Sequence, residues 1–404
     1  MDLPLPKLRA IEAFPVEVDG RQLICLRDPL QYAAESLVVA YPAFFILTLL
    51  DGAHTTIDVQ EAWMRRFGSI LESTELHDLL AALDRHHYLE SDAFAAHRES
   101  LVAAFRADPL RRAAHAGTSY PDEPQALRRH LDEFFAGIAR DGRGPVSGIV
   151  APHIDLRVGG VAYGHAYAAL SATNAERFLI LGTSHHPSRT LFTATRKDFE
   201  TPLGTVTTDR SFLDRVARRA PEDLYADELL HRIEHTVEFQ VVLLQHLLGG
   251  RRPFSVVPIL VGSFHEMMLA GRVPASDARF SDFVAALRDA LADDPRPTVV
   301  IAGVDFAHVG AKFGDAEGLT PELIAIAEAK DRRLIAALER GDGDAFFAEV
   351  GADRDRTRIC GLAPLYTFSQ LMDGAPGRLL HYDRNTDEAT RSIVTYASLA
   401  FDAA

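Results

Sequence analysis

Residues 177–186 read RFLILGTSHH. The run from Phe178 to Leu181 is apolar at every position, short, and bounded by a glycine, so it reads as a strand buried on both faces. Gly182 then lets the chain turn, the hydroxyls of Thr183 and Ser184 can satisfy loop amides, and two histidines follow, His185 and His186. The same grammar recurs elsewhere. VSGIVA (146–151) runs into Pro152, His153 and Asp155, and TVVIAG (298–303) runs into Asp305 and His308. FSVVPILVG (254–262) and IVTYASLAF near the C-terminus add further apolar runs. Between them lie helical patterns over Pro124–Ala139, Glu234–Leu248, Ser281–Ala292, Pro321–Glu339 and Leu362–Met372. Apolar runs separated by helices predict an α/β fold, with a mainly parallel or mixed sheet flanked by helices.

In such sheets ligands bind beyond the carboxyl ends of the strands. Three strand ends carrying histidines therefore point to one crevice. A lone histidine is more often structural than functional, but three in equivalent architectural places argue for a site. His185 is the better candidate to face inward, with His186 as a substrate contact or a support behind it. Asp155 reads equally as a substrate contact and as a turn cap. HRIEHTVEFQ (231–240) opens a helix on which Glu234 and Glu238 share a face at i,i+4 and His235 and Glu238 at i,i+3. The apolar run after them makes the helix mostly buried, so these groups need partners, either a site or a structural ion pair. His308 could act as general acid or base with Asp305 fixing its tautomer, or cap and pack beside a helix. Cys360, in RTRICGLAPLY, reads from its own surroundings as a core cysteine.

Bulk properties narrow the classes. The chain has 404 residues, 47% hydrophobic and 25% charged, and a formal net charge of -15. The acidic balance disfavours nucleic acid and anionic membranes as partners. The longest apolar stretch, around Leu37–Leu50, falls short of the roughly 20 residues that span a bilayer. The start, MDLPLPKLRAIEAF, lacks the basic and apolar regions of a signal peptide, so a cytoplasmic protein is expected. Two cysteines, Cys25 and Cys360, make a disulfide framework or a cysteine-rich zinc site unlike anything this chain could build.

The length predicts more than one domain. Residues 1–92 combine a short strand, RQLICLRD (21–28), with helices over Pro42–Leu50, Thr56–Phe67 and Thr74–His86, and YLES (88–91) as a closing strand. This predicts a small α+β, winged-helix-like domain. A helical linker covers 93–115, within which Ala95–Ala114 is the helical stretch, and an α/β domain covers 116–404. The candidate recognition helix Thr74–His86 carries Glu75, Asp78 and Asp84 against Arg85, the wrong charge for a DNA-reading face.

Taken together, HAGTSYP (115–121), VAPH (150–153), ILGTSHH (180–186), TPLG (201–204), EHTVEFQ (234–240), VDFAHVG (304–310), ICG (359–361) and TYASLAF (395–401) resemble the Memo family across nearly all of 116–404. That fold is similar to the LigB-type class III extradiol dioxygenases, which use non-haem iron. The resemblance implies a metal held by His153, His185 and Cys360, with Asp305 and His308 at the acid and base positions. It thus reassigns Cys360 from core to site. After APH many Memo relatives carry a Gly-Tyr pair, whereas Ile154-Asp155 stands here, which implies a more polar pocket with Asp155 and Arg157 available. The first region resembles PqqD-like domains through RDPLQYAAESLVV and LLDGAHTTIDVQEAWMRRFG. Bacterial Memo proteins resemble a component of the AmmeMemoRadiSam system, so a radical SAM protein is a partner implied by analogy.

These readings lead to a metal-dependent redox protein acting on a small molecule or peptide, with a divalent transition metal, iron or copper first and zinc as the alternative. His308 would move protons, and His186, His235 and Glu238 would line the pocket. A non-enzymatic peptide- or protein-binding scaffold is the second expectation. A zinc-assisted hydrolase using Glu234 or Glu238 as base is the third.

Overall fold

Phe178 and Ile180 point to one side of their strand, and Leu179 and Leu181 to the other. All four are fully buried, because helices cover both faces of the sheet. In the computed structural model, which describes residues 3–138 and 144–403, one face packs on the helices Ala278–Ala292, Pro321–Glu339 and Leu362–Met372 through side chains such as Phe283, Leu334 and Leu365. The other packs on Pro124–Phe134, Leu156–Ala168 and His235–Leu248 through Leu131, Tyr163 and Val241. Each fully buried leucine or isoleucine contributes about 1.5–3 kcal/mol relative to exposure. This two-sided burial is why the strands read as continuous apolar runs.

Among the described residues the sheet has eleven strands. Its centre is parallel: Val146–Ala151, Thr298–Gly303, Arg177–Thr183 and Ser255–Val261 lie side by side in that order. Ser392–Asp402 runs antiparallel beside Val146–Ala151 and carries Gly377–Asp387 and the short His308–Gly310 strand antiparallel to itself, so the sheet is mixed. The register matters most for function. Ala151 pairs with Gly303, and Gly303 with Gly182. Three strands therefore end level, and the loops that follow start side by side.

The chain divides into two compact units, Met1–Asp108 and Pro109–Ala404. The first has a three-stranded antiparallel sheet, Glu12–Val18, Arg21–Arg27 and Leu37–Val39, followed by helices Tyr41–Leu47, Thr56–Phe67, Ser73–Arg85 and Asp92–Ala107. Thr55 and Asp58 form a reciprocal capping box at the second helix. The strand expected over YLES is reduced to one bridge, Leu8 to Leu89. Tyr88 and Leu89 are used as core instead, and the Tyr88 hydroxyl bonds the carbonyls of Leu26 and Glu35 at 3.0 and 2.9 Å. The stretch read as a linker supplies the helix Asp92–Ala107, which begins at the Ser91 cap and buries Phe94 against Tyr32 and Arg9 of the first unit. Leu110–Arg111 then pairs with Asp198–Phe199 of the second unit. The helix expected over Pro124–Ala139 ends at Phe134, and Ala139 lies outside the described residues. No helix among the described residues is long and apolar enough to cross a membrane.

Candidate metal centre

His153 stands two residues past Ala151, His185 three past Gly182 and Asp305 two past Gly303, so the level strand ends deliver them to one place. Cys360 joins them from the loop before helix Leu362–Met372. Gly361 makes this approach possible. Its N–H donates to the Asp305 carbonyl at 3.1 Å, and a Cβ there would sit 2.7 Å from that same oxygen.

One ligand atom each from His153, His185 and Cys360 lie within 4.8 Å of one another. The ring of His153 is fully oriented. Its Nδ1–H donates to the Gly303 carbonyl at 2.9 Å, which leaves Nε2 bare, 3.3 Å from Cys360 Sγ and 3.6 Å from Asp305 Oδ2. His185 is held in the same way by an acid. Its Nδ1 lies 3.1 Å from Glu234 Oε1 and its backbone N–H donates to Oε2 at 3.0 Å. Here too Nε2 remains to face a ligand. The His185 and His153 rings lie 4.9 Å apart, edge to face. The His185 side chain is 33% exposed whereas that of His153 is 3% exposed, so the centre opens on the His185 side.

Among the three donors, electrostatics favour the metal-binding form of His153 and oppose that of His185 and Cys360. Burial drives His153 well below the ordinary imidazole range, and the neighbouring histidines add to this, so its ligand form prevails. Burial pushes the Cys360 thiol well above its usual value and lifts Asp305 to about 7, although the N–H groups of His153 and Ile154 on Asp305 Oδ1 oppose the latter shift. Burial works against ionised Glu234, but His185 and His235 beside it outweigh burial and hold its carboxyl well below the usual range. Burial would lower His185, and Glu234 raises it further than burial lowers it. A cation and a proton therefore compete for this ring.

The remaining expected site residues divide. His235 belongs to the cluster: its ring stacks on His185 at 5.0 Å, meets His153 at 5.3 Å, and its Nδ1 lies 3.1 Å from Glu234 Oε1. Glu234 thus bridges two imidazoles from the N-cap of helix His235–Leu248, where it also accepts the N–H groups of His235 and Thr236. Asp305 stands beside His153 and Cys360. It does not fix the tautomer of His308, whose Nδ1–H donates to the Phe306 carbonyl at 3.0 Å. Burial lowers His308 to about 4, so it is neutral near pH 7 with Nε2 as the titrating atom. His186 lines a neighbouring cavity with His185. Asp155 is the N-cap of helix Leu156–Ala168 and pairs with Arg157 at 2.7 Å, the turn-cap role of its two readings. Glu238 faces another way. Its carboxylate takes Arg111, the Tyr120 hydroxyl, and the N–H groups of Ala114 and His115 at 3.1 and 3.0 Å, tying residues 111–120 to the helix.

Two contributors were not singled out from the sequence. His115, the first residue of HAGTSYP, lies 5.7 Å from the His235 ring, with its Nε2 on the Ile233 carbonyl at 2.9 Å. Gln240 donates to the Pro152 carbonyl at 2.9 Å and so braces the loop bearing His153. Gln240 ends EHTVEFQ, and a buried amide in the second turn of an apolar helix was the available signal.

Residues 111–400 match the family described as Memo-like protein. The chain is 27% identical to a MEMO1 family protein of Aquifex aeolicus, covering 98% of this chain and 99% of that one. It is 30% identical to a MEMO1 family protein of Thermus thermophilus over 351 residues, 85% of this chain and 98% of that one. A MEMO1 family protein of Pyrococcus furiosus is 28% identical over 303 residues, 72% of this chain and 98% of that one. With its second unit matched almost end to end, the chain belongs to the Memo-like protein family.

Proposed function

We propose that the second unit is a metal-dependent redox protein whose ion is held by His153, His185 and Cys360. The observation that carries this is the donor set: two imidazoles with Nδ1 already committed to Gly303 and Glu234, and a thiol, offering ligand atoms within 4.8 Å of one another. Mixed imidazole and thiolate donors favour iron or copper, with zinc as the alternative, and exclude magnesium or calcium as preferred occupants. A bound iron or copper would supply redox chemistry, with coordination positions left for substrate.

The chain's own residues then have separable tasks. Glu234 and Gly303 hold the two imidazole tautomers, and Asp305 keeps a carboxyl beside His153. His308 offers a neutral Nε2 that can accept a proton. The 33% exposure of His185 leaves an entry for substrate on that side. Zinc-assisted hydrolysis has less support, because Glu234 and Glu238 each have both oxygens engaged and neither is free to serve as a base.

The experiment is metal analysis with electron paramagnetic resonance on protein purified anaerobically under reducing conditions. About one iron or copper per chain, lost in His185→Ala and in Cys360→Ala, is expected. Retention of full metal content in both variants would overturn the assignment.

A further inference from the structure

His185 forms part of the wall of two cavities. The smaller, about 250 Å³, also contains Cys360, with Phe264 and His265. The larger, about 550 Å³, is lined by Ser184, His185 and His186 of the SHH loop and is within the usual range for a small organic ligand. Ser184 and Ser263 line both, so the two are neighbouring chambers along one surface.

The lining of the larger chamber is unlike that of the centre. It presents three guanidinium groups, Arg189, Arg272 and Arg279, against one carboxylate, Glu266, with Leu191 and Met267 supplying apolar surface. Two of the arginines are braced from behind. Arg279 rests on Asp277 through Nε at 3.0 Å and Nη2 at 2.8 Å, and Arg189 rests on Asp227 through Nε at 2.7 Å. Neither aspartate is among the lining residues. A guanidinium fixed along one edge keeps its other N–H donors. Arg272 is the least compensated. Its nearest carboxylate contact is Asp277 at 4.0 Å, and its guanidinium makes no hydrogen bond among the described residues.

We propose that this chamber binds the oxyanion group of a small organic substrate, a carboxylate or a phosphoryl group, chiefly through Arg272 with Arg279 beside it. The apolar lining takes the carbon skeleton, and the other end of the molecule passes His185 toward Cys360. The proposal rests on the metal-centre reading for where reaction occurs, but binding of the anion does not. A guanidinium fork suits either oxyanion, and charge-assisted bonds of this kind are about twice as strong as neutral ones.

The test is calorimetric titration of the full chain with benzoate, phenylphosphonate and the neutral benzyl alcohol, on chelator-treated and on metal-loaded protein. Saturable binding of one or both anions to both forms is expected, with benzyl alcohol at least about tenfold weaker. Arg272→Gln should weaken the anions about tenfold or more, while Arg333→Gln, bonded to Glu349 outside the chamber, leaves them unchanged. The more tightly bound anion identifies the head group. Benzyl alcohol binding as tightly as the anions, no saturable binding of either anion, or unchanged anion affinity in Arg272→Gln/Arg279→Gln would overturn the proposal. Metal content measured on the same samples separates the two readings. A chain that binds the anions but no metal contradicts only the metal centre, and one that binds metal but no anion contradicts only this chamber.

Discussion

Each imidazole that faces Cys360 has one nitrogen committed to a protein acceptor and the other left bare. For His185 that acceptor is Glu234, which also spans His235 and two backbone N–H groups of its own helix. The ring orientation therefore depends on a residue outside the proposed ligand set. Glu234→Gln is expected to lower metal affinity about 10–100-fold while the fold persists, which competition titration against a chromophoric chelator would measure. Unchanged affinity would remove Glu234 from the account. A residue outside the centre contributes to acid sensitivity. His231 is 1% exposed, and burial lowers it to about 4, although its bond to the Thr193 carbonyl at 3.0 Å opposes this. The unfolded chain takes up this proton below the ordinary 6.5 and the folded chain only near 4. Stability is thus unaffected by His231 above 6.5 and falls as pH drops toward 4, by on the order of 3 kcal/mol at most. Thermal denaturation across this range should give a shallower pH slope for His231→Gln than for the unmodified chain; parallel slopes would contradict the assignment. Much of the site was legible at this scale. His153 and His185 announce themselves by following buried strands, but Cys360 was legible only through resemblance, because nothing local distinguishes a ligand cysteine from a core one. Asp155 and Glu238 show the converse limit. A charged residue beside a site motif can belong to a cap or a brace, and only long-range partners such as Arg111 decide it.

Loops and helices meet at the centre by close backbone approach. Adding a methyl group at Gly361 would place carbon 2.7 Å from the Asp305 carbonyl and 2.9 Å from Val304 Cβ. Gly361→Ala is expected to cost about 1–3 kcal/mol in chemical denaturation and to weaken metal binding by displacing Cys360. Full stability with native affinity would show that the loop yields more easily than its packing indicates. The brace under helix His235–Leu248 makes a larger demand. Glu238 and Arg111 are both completely buried, so Glu238→Ala leaves a guanidinium without its charge partner. A loss of about 3–5 kcal/mol is expected in denaturant titration, and a loss below 1 kcal/mol would refute the structural role. At the level of elements the sequence reading was close. The strands Val146–Ala151 and Thr298–Gly303 and the helices Thr56–Phe67, Pro321–Glu339 and Leu362–Met372 span the expected residues. Apolar periodicity and glycine boundaries carry that information. Register and strand direction do not show in periodicity, so the antiparallel placement of Ser392–Asp402 beside Val146–Ala151 could not be read from its apolar run.

For the molecule as a whole, a two-sided sheet holds three loops level and a cysteine loop closes on them, so the second unit contains every residue of the centre. The Pyrococcus furiosus relative, matched over 303 residues and 98% of its length, corresponds in size to that unit. A chain beginning at Pro109 should therefore fold and bind metal with the affinity of the full chain, measured by circular dichroism and chelator competition. Loss of the fold would make the first unit part of the scaffold. The division after Asp108, with helix Asp92–Ala107 packed into the first unit, rests on Phe94 and its partners, contacts that no local pattern discloses. The central claim is the ion itself. Its most direct measurement is metal quantification with electron paramagnetic resonance on anaerobically purified chain, beside His185→Ala and Cys360→Ala. The account predicts about one redox-active iron or copper per chain, absent from both variants. A chain that carries none and refuses added iron, copper and zinc would contradict it and leave the binding scaffold as the better reading.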